Sequence, residues 1–266
     1  MVLRRMLAIF LLAVTALTGI ACGKKEEATT PASSAATWKP SGNEGNITGV
    51  IAFNGATPAP RKLDTSNDSA CGETLADDVL VKDGKLQNVL VHVKSGLPQT
   101  TFEVPASEVE LDQRGCKYSP RVLGIQAGQM LKVVNSDATT HNVHPVPKVN
   151  REWNESQAKG QGPIIKKFSK PETQIPVKCN LHSWMTAHIS VLSHPFYSVS
   201  AADGTFTIKG LPPGEYEIEA WHEKFGAKTM KVTVAAKADA KADFSFDAAT
   251  AYNAGSLKVQ PALILP

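Results

Sequence analysis

The sequence predicts an all-β protein with two sandwich-like units. Its apolar residues fall in short alternating runs, and no run has the spacing of a helix longer than a turn or two. Turn-forming residues are frequent, with 19 glycines and 17 prolines among 266 residues, which favours many short strands. The length suits two small domains or one large β domain. A net charge of +3 gives no reason to expect a nucleic-acid partner.

Residues 1–21 have the features of a secretory signal peptide. Two arginines precede an apolar stretch, 6–21, that is shorter than the ~20 residues a membrane-spanning helix needs. Cys22 follows this stretch and resembles the processing site of a bacterial lipoprotein, although Gly19 stands where lipoproteins usually carry leucine. We expect lipid attachment at Cys22, anchoring to a membrane, and a location in the periplasm or at the cell surface. Plain secretion and an uncleaved anchor are the alternatives.

The next residues form a tether and then the first block of strands. Residues 22–43 are rich in Ala, Ser, Thr, Pro and charge, so they cannot build a core and predict a flexible tether. Alternating runs follow at 47–53, 79–81 and 89–93, with turn dipeptides at Asn54-Gly55 and Asp83-Gly84. The second dipeptide is predicted to join 79–81 to 89–93 as a hairpin.

Two further blocks of strands complete the pattern. The second runs from about Val109 to Leu192 and is interrupted by a long basic loop, 145–170. The third, 198–234, has turn dipeptides at Asp203-Gly204 and Pro213-Gly214. Residues 235–251 are predicted to be a spacer, and 247–266 a tail.

The second block contains the residues with metal chemistry. Cys179, His182 and Met185 occur at a Cys-x-x-His-x-x-Met spacing, and His141 lies upstream. Alternation along 175–179 points the cysteine to the interior. A thiolate, two imidazoles and a weak thioether are the ligands of a blue-copper electron-transfer site. Zinc is the alternative ion for a Cys/His/His set, although it has little use for a thioether.

Neighbouring polar residues and two more cysteines have expected roles. Asp137, Asn142 and His144 are expected to surround the ligands and orient them. His144 should not ligate, because a regular strand places it on the opposite face from His141. Cys71 and Cys116 are expected to form a disulfide in an oxidising compartment, or else to be two unpaired buried cysteines.

The second block resembles a cupredoxin of the plastocyanin and amicyanin family. The matching pieces are Tyr118-Ser119-Pro120, Gly128-Gln129, Asn135-Ser136-Asp137, His141-Asn142-Val143 and the loop 179–185. This resemblance implies a Greek-key sandwich and one type 1 copper ion. It also implies His141, Cys179 and His182 as equatorial ligands, Met185 as the axial ligand, and Asn142 as a tie between the two ligand loops. Asn180-Leu181 departs from the Thr-Pro of amicyanin.

The flanking blocks together resemble a carboxypeptidase regulatory-like, transthyretin-like β-sandwich. The pieces are Gly49-Val50-Ile51 with Gly55, Asp203-Gly204-Thr205-Phe206 and Leu211-Pro212-Pro213-Gly214-Glu215-Tyr216. We therefore expect a cupredoxin domain, 105–194, inserted into a discontinuous sandwich of 44–104 and 195–246. The alternative is a sequential arrangement, with 44–104 as an extended N-terminal region of the cupredoxin.

These features together predict an extracytoplasmic carrier of single electrons between redox partners, and not an enzyme. Copper oxidases need further copper centres built from His-x-His pairs, and the sequence has none. Electrons are expected to pass through an exposed edge of His182, between Leu181 and Trp184. The basic loop is expected either to attract an acidic redox partner or to be merely solvated, through Lys148, Arg151, Lys166, Lys167 and Lys170.

Two other functions remain open at this point. One is copper transport or storage without electron transfer. The other is an envelope binding module with a vestigial metal site. We expect Tyr216 and Trp221 to pack in the core, and the alternative is that both rings stack on a carbohydrate in such a module.

Overall fold

The computed structural model describes residues 36–248. The signal peptide, Cys22, most of the tether and the tail beyond residue 248 lie outside the described residues. Within this range the chain forms strands joined by loops and a short 3-10 helix, Ser69–Cys71. The predicted all-β fold class is confirmed. No helix in this range is long and apolar enough to span a membrane.

The strands divide between four sheets. In chain order they are β1 (Gly45–Asn54), β2 (Val81–Lys82), β3 (Lys85–Leu86), β4 (Leu90–Ser95), β5 (Val109–Gln113), β6 (Tyr118–Ser119), β7 (Val122–Gln126), β8 (Met130–Asn135), β9 (His141–Pro145), β10 (Glu155–Gln157), β11 (Ile164–Lys167), β12 (Glu172–Lys178), β13 (Thr186–Leu192), β14 (Tyr197–Val199), β15 (Thr205–Leu211), β16 (Gly214–His222), β17 (Gly226–Val234), β18 (Asp239–Lys241) and β19 (Phe244–Asp247).

One sandwich is made from the two ends of the described range. β1 pairs antiparallel with β15 and parallel with β18 and β19. The facing sheet has the order β14-β4-β16-β17. The buried residues between them include Ile47, Ile51, Val91, Phe206, Ile218 and Phe246. Residues from before and after the middle block therefore share one apolar core.

Two details of this sandwich differ from the sequence predictions, and a third agrees with the core packing expected for two aromatic rings. The turn at Asp83-Gly84, where both residues have positive φ, joins β2 to β3, while β4 lies in the other sheet. The predicted spacer contains β18 and β19, because Phe244 and Phe246 alternate inward and fill the core. Tyr216 and Trp221 are 3% and 8% exposed, so neither ring offers a face to a carbohydrate.

The other sandwich consists of the middle block. A five-stranded sheet, β10-β9-β12-β13-β7, faces a four-stranded sheet, β11-β8-β5-β6. Residues that alternate inward along these strands close the core, among them Leu111, Ile125, Leu131, Val177 and Ile189. The ends of β9 and β12 lie side by side because His144 of β9 is paired with Lys178 of β12. This pairing brings the His141 strand and the Cys179 loop together.

The two sandwiches contact each other closely. A Cβ atom on Gly124 of β7 would lie 2.3 Å from the Tyr197 ring, so this position requires glycine. The buried guanidinium of Arg121 donates to Asp77, Glu223 and Thr186, which come from three different segments of the chain. A buried arginine with acceptors on several sides fixes the relative position of those segments.

Candidate metal centre

Cys179 directly follows β12, whose residues alternate between the core and the solvent. Ile175, Val177 and Cys179 are buried, whereas Pro176 and Lys178 are exposed. The thiol therefore points into the sandwich, as the alternation predicted. The following loop closes on itself, since the Cys179 N–H donates to the Met185 carbonyl at 3.1 Å and the Met185 N–H to the His182 carbonyl at 2.9 Å. This turn brings the His182 ring back towards the sulfur.

Met185 is 1% exposed and belongs to the same apolar cluster as Cys179. Its burial follows from the closed loop, which turns residue 185 inward before β13 begins. Met185, the predicted axial ligand, thus lies in the core at the end of the loop that also carries Cys179 and His182.

His141 begins β9 and is fully buried. Its Nε2 is 2.9 Å from Oδ2 of Asp137, four residues earlier. The same carboxylate accepts the backbone N–H groups of Gly115 and Cys116, at 2.6 Å and 2.8 Å, because both residues adopt positive φ in the turn between β5 and β6. Asp137 thus orients the imidazole and ties it to the neighbouring turn.

His182 is only 3% exposed, in contrast to the predicted exposed edge. Its Nε2 is 3.0 Å from Oδ2 of Asp68, which belongs to a segment preceding the middle block. Leu181 is 50% exposed, so the loop does reach solvent, but the ring of the histidine does not. Sequence reasoning missed Asp68; the sign available was its position just before Cys71, a cysteine expected to pair with Cys116.

The two imidazoles face each other through their Nδ1 atoms, which lie 2.9 Å apart. A neutral imidazole carries one N–H, and an ionised carboxylate only accepts hydrogen bonds. Each Nε2 is bonded to a carboxylate, so each N–H lies there, and both Nδ1 atoms present lone pairs to the same point. Two acceptors this close repel each other unless both bind one metal ion or one ring takes up a second proton.

The Cys179 sulfur joins this arrangement. Its Sγ is 3.7 Å from Nδ1 of His182, and the ligand atoms of His141, Cys179 and His182 all lie within 4.8 Å of one another. Bonds of about 2.0–2.3 Å, as to zinc, around one ion would separate two such ligand atoms by roughly 3–4 Å. The distances from Nδ1 of His182 to Nδ1 of His141, 2.9 Å, and to the Cys179 sulfur, 3.7 Å, are close to that value, so the donor set fits a single metal ion.

Asn142 connects the two ligand loops. Its backbone N–H donates to Sγ of Cys179 at 3.5 Å, and its side-chain Oδ1 accepts the Asn180 N–H at 2.6 Å. Its own carbonyl accepts the Tyr118 hydroxyl at 2.5 Å. These contacts place Asn142 where the tie between the loops was expected.

His144 lies outside the cluster of ligand atoms. Its ring contacts Oδ1 of Asn180 at 3.2 Å and Oε1 of Glu152 at 2.6 Å. It therefore acts on the ligand loop through Asn180, which follows Cys179. His141 and His144 lie on opposite faces of β9, because residues three positions apart on a regular strand point to opposite sides.

The electrostatics of the centre favour a neutral His141 imidazole and an ionised Asp68 carboxylate. Burial, the largest cause, lowers the pKa of His141. Hydrogen bonds from Thr139, from the Ala70 N–H and from His182 lower the pKa of Asp68 to about 2. Neutral imidazole is the form that binds metals.

A disulfide joins Cys71 to Cys116 next to this centre, with their Cα atoms 5.4 Å apart. The Cys71 sulfur lies within 4.8 Å of ligand atoms of Asp68 and His182, and the Cys116 sulfur within the same distance of those of Asp137 and His141. Cys179 is the free cysteine of the described range. The bridge therefore holds both carboxylate-bearing segments beside the ligands.

Known proteins resemble different parts of the chain. Residues 185–247 match the carboxypeptidase regulatory-like domain family. Cupredoxins are among the solved structures that match. Both sandwich resemblances are confirmed. The family match begins at residue 185, before the expected boundary at 195, although β13 pairs with β12 and β7 of the other sandwich. No curated protein matches this chain.

The individual structural matches are partial. Amicyanin in its reduced state is 24% identical, covers 38% of this chain and 97% of its own, and has a TM-score of 0.29. A purple cupredoxin from Nitrosopumilus maritimus is 18% identical over 31% of this chain and 97% of its own, with a TM-score of 0.27. A Cu-containing nitrite reductase from Thermus scotoductus SA-01 is 20% identical over 36% of this chain, with a TM-score of 0.28. The match spans 25% of that reductase.

Proposed function

We propose that this protein binds one copper ion at a type 1 site and carries single electrons between redox partners of the cell envelope. His141, Cys179 and His182 would hold the ion, with Met185 as a weak axial ligand. The observation that carries the proposal is the pair of Nδ1 atoms, 2.9 Å apart, whose rings are both fixed by carboxylates at Nε2. In that arrangement two neutral imidazoles direct their Nδ1 lone pairs to one point, where a single metal ion could bind both.

Bound copper would supply a one-electron couple. The side chains supply the rest: the ligands are buried, so water is excluded, and two carboxylates hold the imidazoles in one orientation. The Asn142 N–H donates to the Cys179 sulfur, a contact that stabilises a thiolate. A rigid, dry ligand set reorganises little when one electron is gained or lost.

Zinc binding and copper storage are the competing functions. Zinc suits a Cys/His/His set, but it has no redox chemistry. Copper storage needs the same ligands, and a storage protein would release the ion when it is reduced. The buried position of Met185 beneath the ligand loop favours copper, since thioethers are ligands for copper and poor ligands for zinc.

The test is addition of Cu(II) to the purified protein, followed by visible absorption and voltammetry. We expect a strong charge-transfer band and a reversible one-electron wave. Cys179→Ser should abolish the band and His141→Ala should abolish or strongly weaken it. His144→Ala, the matched control on the same strand, should keep it. Colour that survives Cys179→Ser would disprove the ligand assignment, and colourless tight binding of zinc in preference to copper would favour the first competitor.

The setting of the centre completes the proposal. We place the protein in the periplasm or at the cell surface, anchored by a lipid on Cys22, with 105–194 inserted between 44–104 and 195–246. An acidic redox partner suits the exposed cations of the long loop, which are Lys148, Arg151, Lys167 and Lys170. Lys166, in contrast, pairs with Glu155 and lies 5.4 Å from the Trp153 ring.

A further inference from the structure

Residues 61–76 form an ordered loop that we name the cap segment. Its ends run side by side, since the Leu63 N–H donates to the Thr74 carbonyl at 2.9 Å and the Ala76 N–H to the Arg61 carbonyl at 2.8 Å. Inside the loop, Asp68 caps the 3-10 helix by accepting the Ala70 N–H at 2.9 Å. The disulfide then fixes the helix end to the turn between β5 and β6. The cap segment is thus a fixed structure held against the middle sandwich.

The cap segment makes two contacts with the ligand loop and one with Thr139, which lies just before β9. Oδ2 of Asp68 is 3.0 Å from Nε2 of His182 and also accepts the Thr139 hydroxyl at 2.6 Å. The side-chain amide of Asn67 donates to the Leu181 carbonyl at 3.3 Å. These contacts explain why His182 is 3% exposed while its neighbour Leu181 is 50% exposed.

We propose that the cap segment closes the solvent edge of His182 to redox partners, with Asp68 as the positioning residue that fixes this imidazole. This inference rests on the proposed function for its redox consequence, but not for the contact between Asp68 and His182. A carboxylate that accepts the Nε2–H selects the tautomer with a bare Nδ1 and holds the ring plane. An electron donor or acceptor must then approach over the cap segment instead of touching the ring.

Three variants separate the position of the ring from the charge of the carboxylate. Asp68→Ala removes the acceptor. Asp68→Asn keeps an acceptor oxygen and a good helix-capping residue while removing the charge. Asp64→Ala is the matched control, because Asp64 carries the same charge in the same segment and its side chain accepts from the Ser66 N–H. Thr139→Val, which removes one hydrogen bond to Asp68, serves if Asp68→Ala does not fold.

The first measurement uses the metal-free protein with ¹⁵N-labelled histidine, so it does not depend on copper. Nitrogen chemical shifts report which ring nitrogen carries the proton. We expect one tautomer of His182, protonated at Nε2, in the wild type, Asp68→Asn and Asp64→Ala. Asp68→Ala should give a mixture of tautomers. A single unchanged tautomer in Asp68→Ala would overturn the positioning role.

The second measurement follows reduction of the copper-loaded, oxidised protein by two reagents of opposite charge, hexacyanoferrate(II) and hexaammineruthenium(II). Each gives one electron to the centre and is itself oxidised by one electron. If Asp68→Ala opens the cap, both rates rise, by about tenfold. Loss of charge alone, as in Asp64→Ala and Asp68→Asn, should speed the anionic reagent and slow the cationic one.

The outcomes are distinguishable. Rates for Asp68→Ala that match those for Asp64→Ala with both reagents would overturn the closure of the His182 edge. If the wild type takes up no copper, the proposed function fails, while the tautomer measurement still decides whether Asp68 positions His182.

Discussion

His141 and His182 use the same chemistry but depend on different parts of the chain. Both present Nδ1 to one point and both bind a carboxylate through Nε2. The carboxylate of His141 comes from Asp137, four residues earlier. The carboxylate of His182 comes from Asp68, 114 residues away, on a segment held by a disulfide. One half of the centre is therefore local, and the other half depends on tertiary structure.

This difference shows how a loop outside the cupredoxin-like block can complete its site. The Asp137 carboxylate is fixed by the backbone of the turn that it faces, so it needs no other domain. Asp68 is fixed by Thr139, by its own helix and by the Cys71–Cys116 bridge. Disturbing the bridge should consequently affect His182 far more than His141.

Removal of the Cys71–Cys116 disulfide should produce the largest difference between the surroundings of His182 and those of His141. The bridge closes a loop with a sequence separation of 45 residues, which corresponds to about 4 kcal/mol in the chain-entropy description. We expect the double variant Cys71→Ala/Cys116→Ala to lose about that much free energy of unfolding, as measured by urea denaturation. His182 should also gain solvent exchange while His141 stays protected. An unchanged denaturation midpoint would contradict the role of the bridge.

His222 of β16 is a buried histidine outside the metal centre. It shows how burial alone, with no carboxylate hydrogen-bonded to the ring, changes the pH dependence of stability. It is 1% exposed and stacks on Phe225, and burial lowers its pKa to about 4. Its folded pKa lies below the unfolded value of about 6.5, so the unfolded state binds the proton first as the pH falls. Stability present above about pH 6.5 is then lost towards pH 4, with about 2 kcal/mol lost between pH 7 and pH 5.

The check is the free energy of unfolding of the wild type and of His222→Asn at both pH values. The variant should be less stable at pH 7, because it loses packing against Phe225, but its stability should fall by about 2 kcal/mol less on acidification. If the free energy of unfolding falls equally in both proteins between pH 7 and pH 5, His222 does not cause the loss of stability in this range.

The local half of the centre was accessible from the sequence because it follows from short-range rules. Period-two alternation placed Cys179 inside, and the spacing to His182 and Met185 described a loop that returns to the same end of the sandwich. Regular strand geometry also separated His141 from His144. Each of these inferences involves residues within one strand or one loop, where the backbone geometry leaves few possible positions for a side chain.

The other half could not be predicted, because it depends on contacts between distant segments. The position of Asp68 just before Cys71 is its one link to the second block in the sequence, and it does not indicate a contact with His182. An exposed histidine edge was therefore expected, and that expectation was wrong. The strand β18 was missed for a related reason. Its three residues, Asp-Ala-Lys, have little strand preference and become a strand by pairing with β1 across the fold, so tertiary context overrides local preference there. The strand β19 is different, because its alternation of Phe244 and Phe246 is a local strand signal that was overlooked.

The smallest expected effect is a difference in metal affinity between the two carboxylates. Residues that orient metal-binding histidines typically contribute 10–100-fold to affinity. We expect Asp137→Ala to weaken copper binding more than Asp68→Ala does. The Asp137 carboxylate also accepts two backbone N–H groups, and both would lose their acceptor in the variant. Asp68→Ala should lose about tenfold, at the lower end of that range, because its carboxylate accepts one backbone N–H group, that of Ala70. Competition with a copper chelator measures both, with Asp64→Ala as the control. Equal losses of copper affinity would mean that Asp137 and Asp68 contribute equally to metal binding. The difference between the two imidazoles would then concern only how each ring is held, and not how tightly copper is bound.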